Sequence, residues 1–273
     1  MGLFGSKEDS EDLMYHAMSL MEKNQPKGAI VLFSKVLKQD PKNTSALYNK
    51  GLALNQIKKY SDAATCFDVL LEINPNDAAA INNKGIAMAE MKNIQGASEC
   101  YDMAIKADPK YGPSYFNKGV LLDKLQEHEE ALGYLDKAIN IDPRKPNALF
   151  YKGIILGKLK KHEEALNCFE NVYKKHPSHT DALFHIGIEL AELDNHKKAL
   201  EIFEQILASH KDNVNVIYAK SRSKSALGEI PESLELLKKA VNLSPKTIRT
   251  WAKEEKIFEK LHNNDQFRKL VKL

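Results

Sequence analysis

The side chains in this sequence able to do chemistry are three cysteines, nine histidines and several adjacent pairs of carboxylates. A thiolate can attack a carbonyl or bind a metal, an imidazole can move a proton or serve as a ligand, and two carboxylates can divide the roles of acid and base. Their spacing argues against all of these. Cys66, Cys100 and Cys168 are displaced by multiples of 34 residues, and His128, His162 and His196 follow one another at the same interval, in the place Tyr60 fills earlier. Groups set apart by a fixed period lie on successive copies of one structural unit, so they form a ladder rather than a cluster. Helical units pack roughly 8 to 10 Å apart, a disulfide needs Cα atoms within about 7 Å, and such a ladder cannot converge on one metal ion. The cysteines are therefore expected to be packing residues. The segment HPSHTDALFH, with His176, His179, Asp181 and His185, is the one stretch dense in potential ligands, and His176 and His179 fall in a recurring turn that needs no ion. Glu129 and Glu130, like Glu163 and Glu164, stand at helix starts, where negative charge favours the helix dipole. No glycine-rich phosphate loop, nucleophile elbow or H-E-x-x-H occurs. The expectation is a protein without catalytic residues, cofactor or metal.

The elements that carry these residues are set by repetition, which has to be read before local pattern. LYNKGLAL at Leu47 returns as INNKGIAM at Ile81, YFNKGVLL at Tyr115, LFYKGIIL at Leu149 and LFHIGIEL at Leu183, each 34 residues after the last. Proline keeps the same register at 41, 75, 109, 143, 177 and 245, glycine at 51, 85, 119, 153 and 187, and alanine at 29, 63, 97, 131, 165 and 199. Aromatic residues follow the alanine by four at Phe33, Phe67, Tyr101, Phe169 and Phe203, with Leu135 and Leu237 elsewhere. Each unit holds two apolar stripes of helical period, and its proline ends the second helix. The small residues let paired helices approach. One hairpin cannot bury its faces alone, so each must stack on its neighbours.

A large apolar residue, glycine four further on, then alanine, an aromatic and proline at this period resembles the tetratricopeptide repeat, over nearly the whole chain. Lys50, Lys84, Lys118 and Lys152 depart from it, standing before glycine where the pattern has leucine, and only Trp251 keeps the aromatic opening. The resemblance implies an all-α fold, an α-α superhelix built as a right-handed solenoid of antiparallel helical hairpins. It divides the chain into a flexible tail over 1–9, seven repeats over 10–247, and a partial repeat with capping helices over 248–273. In the last segment Ile248, Trp251, Phe258, Leu261, Phe267 and Leu270 supply an apolar set for covering the final hairpin. The seventh repeat drifts most, with Ser221 for glycine and Ser233 for alanine.

Composition narrows the partners. Lys plus Arg total 40 against 37 for Asp plus Glu, so a net charge of +3 exerts no general pull on polyanions, and nucleic acid is not expected. No apolar run reaches the roughly 18 residues of a membrane span, and the N-terminus lacks a secretory signal, so no stable membrane insertion and a cytoplasmic location are expected. MGLFGS fits an acylation pattern at Gly2, though a short polar tail explains it as well.

Advancing 100° per residue, positions four, eight and eleven of each first helix form one packed face, and five, nine and twelve a second face roughly 80° away. In the family that the chain resembles, the second face lines a concave groove. Here it would comprise Tyr48, Leu52 and Asn55; Asn82 and Ile86; Phe116, Val120 and Asp123; Phe150 and Ile154; Phe184 and Ile188; and Tyr218 and Arg222. Two readings stand. These residues pack against the next hairpin, or they receive an extended peptide or amphipathic helix, with Asn49, Asn55, Asn83, Asn117 and Asp123 bonding its backbone. No repeat has lysine at position five, which disfavours the carboxylate clamp by which some relatives hold chaperone tails. Lys50, Lys84, Lys118, Lys152 and Lys220 point away from this face and read as a solvated ridge. The expected function is a non-catalytic protein-protein interaction scaffold that binds a peptide or helical segment in its groove. The alternative is a regulatory or scaffold subunit docking through the convex face or the basic C-terminal cap.

Overall fold

The computed structural model describes residues 9–272. Gly2 and all but the last residue of the expected tail over 1–9 lie outside them. Among the described residues there are sixteen α-helices, one 3-10 helix and no strand. The chain divides into two compact units, Met1–Pro143 and Arg144–Leu273.

The N-terminal unit holds four helical hairpins: α1 (Ser10–Glu22) with α2 (Pro26–Gln39), α3 (Thr44–Gln56) with α4 (Tyr60–Ile73), α5 (Ala78–Glu90) with α6 (Ile94–Ala107), and α7 (Gly112–Lys124) with α8 (His128–Ile141). The C-terminal unit holds three more: α9 (Pro146–Lys158) with α10 (His162–Lys175), α11 (Thr180–Glu192) with α12 (His196–Ser209), and α13 (Val214–Ala226) with α14 (Ile230–Leu243). It closes with α15 (Pro245–Glu254), a 3-10 helix over Lys256–Leu261 and α16 (Asp265–Val271). The fold is an all-α repeat of helical hairpins, as expected from the period.

Local chemistry starts and stops these helices. Asn43 and Asp77 accept hydrogen bonds from Ala46 and Ala80 N–H, both at 2.9 Å, so the last residue of one repeat caps the first helix of the next. Where Tyr111 and Lys145 stand at that position no side-chain cap forms, and proline in the first turn takes over, since it gives up no needed N–H there. Within hairpins the turn repeats one conformation. Asn24, Lys58, Lys92, Gln126, Lys160 and Asp194 all have φ between 55° and 68°, in the left-handed region, and Gly228 alone meets that demand with glycine.

Inside each of three hairpins the glycine makes room for a phenylalanine ring. A Cβ at Gly51 would stand 2.6 Å from Phe67 Cζ, one at Gly153 2.8 Å from Phe169 Cζ, and one at Gly187 2.5 Å from Phe203 Cε1. The close approach expected of glycine and alanine together is thus met chiefly by the residue four after the alanine, whose ring lies where the glycine side chain would be. Phe67, Phe169 and Phe203 are fully buried in this way. In the seventh hairpin Ser221 and Ser233 replace the glycine and alanine, and both are fully buried.

The cap buries Ile248, Phe258, Leu261, Phe267 and Val271 against Leu234, Leu237 and Val241 of α14. Trp251, expected among the cap residues that cover the final hairpin, meets the Tyr218 ring at 5.6 Å and is 43% exposed.

Candidate functional site

Each first helix after α1 is buried on more than the one face expected. Besides the face toward its own partner helix, positions three and ten, mostly small residues, are also buried: Ala46 and Ala53 on α3, Ala80 and Ala87 on α5, and Ala182 on α11. The strip left between carries positions five, nine and twelve. In the N-terminal unit Tyr48, Leu52, Asn55, Ile86, Phe116 and Val120 are partly exposed, and in the C-terminal unit so are Phe150, Ile154, Phe184, Ile188 and Arg222.

Asn82, Asp123 and Tyr218, placed on the same face by spacing, are buried. Each has a physical reason. Asn82 Oδ1 accepts from Asn117 Nδ2 at 2.9 Å, joining α5 to α7. Asp123 Oδ1 lies 3.0 Å from His128 Nδ1 across its own hairpin turn. Tyr218 is covered by the cap, its ring 5.6 Å from that of Trp251 and 6.1 Å from that of Phe258. Burial, with the Glu255 carboxylate nearby, holds its hydroxyl well above the usual tyrosine range.

Of the asparagines expected to hold a peptide backbone, Asn55, Asn83 and Asn117 bond between neighbouring hairpins. Asn55 Nδ2 donates to the Asn83 carbonyl at 3.3 Å, and Asn83 Nδ2 donates to Tyr48 Oη at 3.2 Å and to the Ala79 carbonyl at 2.8 Å. Asn49 Nδ2 donates to the Ser45 carbonyl at 2.9 Å, within its own helix.

The lysine ridge requires a correction. Lys84 Nζ is 2.6 Å from Asp68, Lys118 Nζ 2.8 Å from Asp102, and Lys220 Nζ 3.0 Å from Glu204. Each lysine reaches back from a first helix to an acid on the second helix of the hairpin before it, always sixteen residues earlier. The Lys118 side chain is only 8% exposed and also donates to Ser98 Oγ at 2.6 Å. These cations are interhairpin fasteners, and the hydrogen bond from Lys84 to Asp68 raises the Lys84 pKa.

At the end of the exposed strip in the C-terminal unit, Arg222 is held by Glu192 at 2.9 Å and by Glu255 of the cap at 3.0 Å. Ile188, Glu192, His196, Arg222 and Ile257 line a small cavity of about 140 Å³ there. The cap therefore closes the strip at α13, leaving its apolar part on α9 and α11.

Two features escape spacing arguments. Glu189 is buried at position ten of α11 and meets His162 Nδ1 at 2.7 Å; burial pushes its carboxyl up, and the histidine opposes that shift. A glutamate where other repeats keep small or apolar residues is the available signal. His185 stacks on Phe169 at 4.9 Å and meets Phe150 edge-on at 5.5 Å, and burial lowers its pKa. His179 caps α11 by accepting from Ala182 N–H at 3.1 Å, and His176 Nε2 contacts the Arg144 carbonyl at 3.0 Å. The ligand-rich segment is thus occupied by packing and capping. Among the described residues no cluster of three or more His, Cys, Asp or Glu side chains could hold a metal, and no helix is long and apolar enough to cross a membrane. Cys66, Cys100 and Cys168 are buried, and burial raises the thiol pKa of the first two.

This architecture is that of a helical-repeat scaffold, and the chain belongs to the tetratricopeptide repeat family. The family model described as the N-terminal tetratricopeptide repeat region of Psidin matches residues 15–115 and again 121–220, and the general tetratricopeptide repeat model matches 100–133. No curated protein sequence matches the chain. Among solved structures, PilW, a type IV pilus biogenesis factor, is 23% identical with a TM-score of 0.67, over 74% of this chain and 94% of its own. A tetratricopeptide repeat protein from Parabacteroides merdae is 15% identical with a TM-score of 0.63, over 96% and 97%. A thermophilic one from Thermus thermophilus is 16% identical with a TM-score of 0.59, over 67% and 100%. At these identities the likeness is one of fold, a fold that suggests a scaffold for protein-protein interaction.

Proposed function

We propose that this protein is a non-catalytic scaffold whose first helices present an apolar strip to a peptide or helical segment of a partner protein. One observation carries the reading. The faces on either side of positions five and nine are buried by hairpin packing, while the large side chains at those positions stay partly exposed: Leu52, Ile86, Phe116 and Val120 in one unit, Phe150, Ile154, Phe184 and Ile188 in the other. Side chains that the core does not enclose, recurring on consecutive helices, suit the regularly spaced anchors of an extended or helical ligand. Because Asn55, Asn83 and Asn117 are engaged between hairpins, specificity would rest on the shape of the apolar anchors more than on asparagine contacts to the ligand backbone.

The test is display selection of peptides on the wild-type protein, followed by affinity measurement with Ile154→Glu/Ile188→Glu and Leu52→Glu/Ile86→Glu variants, circular dichroism confirming the fold. Selected peptides should lose at least about tenfold in affinity for one of the two variants. Unchanged affinity for both would remove the strip as the binding face.

A further inference from the structure

The ion-pair ladder ends in a reversal of sign. Asp68, Asp102 and Glu204 each meet a lysine sixteen residues later on the next first helix. The equivalent positions at the end of the array are Lys238 on α14 and Glu254 at the last turn of α15. Acid and base have changed places, and among the described residues no ion pair joins them. The last element is also short: α16 has 7 residues where every earlier second helix has 14. An open cleft of about 520 Å³ is left between α14, α15 and α16.

Leu234, Val241 and Leu270 give the cleft its apolar lining, and Lys238, Arg249 and Lys269 its charge. Arg249 Nε donates to the Leu270 carbonyl at 2.9 Å, which orients the guanidinium. Among the described residues no other hydrogen bond or ion pair engages the Arg249 side chain, and none engages the side chains of Lys238 or Lys269. The cleft's one carboxylate, Glu235, leaves three cations against one anion.

We propose that this cleft docks an acidic segment of a partner protein, one with carboxylates flanking an apolar side chain. Charge complementarity selects the acids, because Lys238 stands where Asp68, Asp102 and Glu204 carry the acid of the ladder, and no ion pair among the described residues offsets its charge or that of Arg249 or Lys269. Pro231 and Leu270, the apolar lining residues that stay accessible, ask for an apolar residue between the acids. A single-stranded nucleic acid fits less well, because no aromatic ring lines the cleft for a base to stack on. A lipid surface fits less well still, since Leu234 and Val241 are buried and cannot enter a bilayer.

The site is separate from the apolar strip, and its test keeps the two apart. The full chain is titrated against the dye-labelled peptide ELEDLLEELEDL, followed by fluorescence anisotropy, with its Gln/Asn counterpart, a single-stranded DNA oligonucleotide and phosphatidylserine vesicles as parallel probes. Saturable binding of the acidic peptide is expected, weakened by salt and reduced at least about tenfold by Lys238→Glu/Lys269→Glu. Both lysines are exposed, so the fold should survive, and circular dichroism checks it. Ile154→Glu/Ile188→Glu should leave this binding unchanged. The proposal is overturned if the acidic peptide does not bind, if its uncharged counterpart binds as well, if the lysine variant retains full affinity, if the strip variant removes it, or if the DNA or vesicles bind more tightly than the peptide.

Discussion

Ser221 and Ser233 each hold the other's backbone: Ser221 Oγ donates to the Ser233 carbonyl and Ser233 Oγ to the Ser221 carbonyl, both at 2.9 Å. Glycine and alanine occupy these positions in most of the other hairpins and bring the two helices together by smallness alone. In the seventh hairpin, two reciprocal hydrogen bonds across a fully buried crossing satisfy the hydroxyls that burial would otherwise penalise.

Ser221→Ala and Ser233→Ala should each lower stability by about 1 kcal/mol, the net value of one such bond. Trp251, the only tryptophan, sits beside Tyr218 in the same unit, so its fluorescence during urea unfolding reads the effect directly. Two variants as stable as wild type would show the hydroxyls to be tolerated rather than stabilising.

Two glycines on helices should respond in opposite directions to alanine. At Gly187 the new methyl would lie 2.5 Å from the Phe203 ring, an overpacking that costs roughly 1–3 kcal/mol or more. At Gly133, on an exposed face of α8, nothing lies within 4 Å, so alanine should stabilise by about 0.5–1 kcal/mol through helix propensity. Thermal melting separates the two, and a Gly187→Ala melt at or above wild type would contradict the ring-in-glycine packing.

The left-handed turn residues offer a third measurement. Lys92 has φ 64°, a conformation costing an ordinary residue about 1–2 kcal/mol. Lys92→Gly should therefore raise the melting temperature despite the extra freedom it gives the unfolded chain, and the same change at exposed Lys110, outside this conformation, should not.

Stability should depend on pH through His185. Burial between Phe169 and Phe150 lowers its pKa below the ordinary value, opposed by Asp181 and reinforced by His179. In the window between the lowered folded pKa and the unfolded value of about 6.5, the unfolded chain binds a proton that the folded chain refuses. The contribution is complete above that window and is lost as pH falls through it. His185→Phe should flatten the decline in melting temperature between about pH 7 and pH 5, and an unaltered slope would assign the decline to other groups.

Hairpin number and spacing are legible in the sequence because glycine, alanine and proline act on the backbone of their own unit. The lysine ladder is not. Lys84 and Lys118 look like exposed charges until the preceding second helix is placed beside them, bringing an acid sixteen residues away into contact. Tyr218 departs from its expected exposure for a related reason. Its position in the repeat matches that of Phe184, but its environment is set by Trp251 and Phe258, in the segment that departs most from the repeat. The left-handed turn is hard to see in the sequence because lysine, asparagine, glutamine and aspartate occupy it in six hairpins, and only Gly228 in the seventh announces it.

The acid-to-lysine fastening also makes those internal hairpins that carry it interchangeable parts. Excising residues 78–111 would bring Asp68 face to face with Lys118, the same pairing at the same sixteen-residue distance, with Asp77 taking the capping position that Tyr111 holds and Pro113 still opening the next helix. Wherever an acid and a lysine stand at those two positions a whole module can be lost or gained without a mismatched joint, whereas α11, with Ile186 at the lysine position, could not be joined in this way.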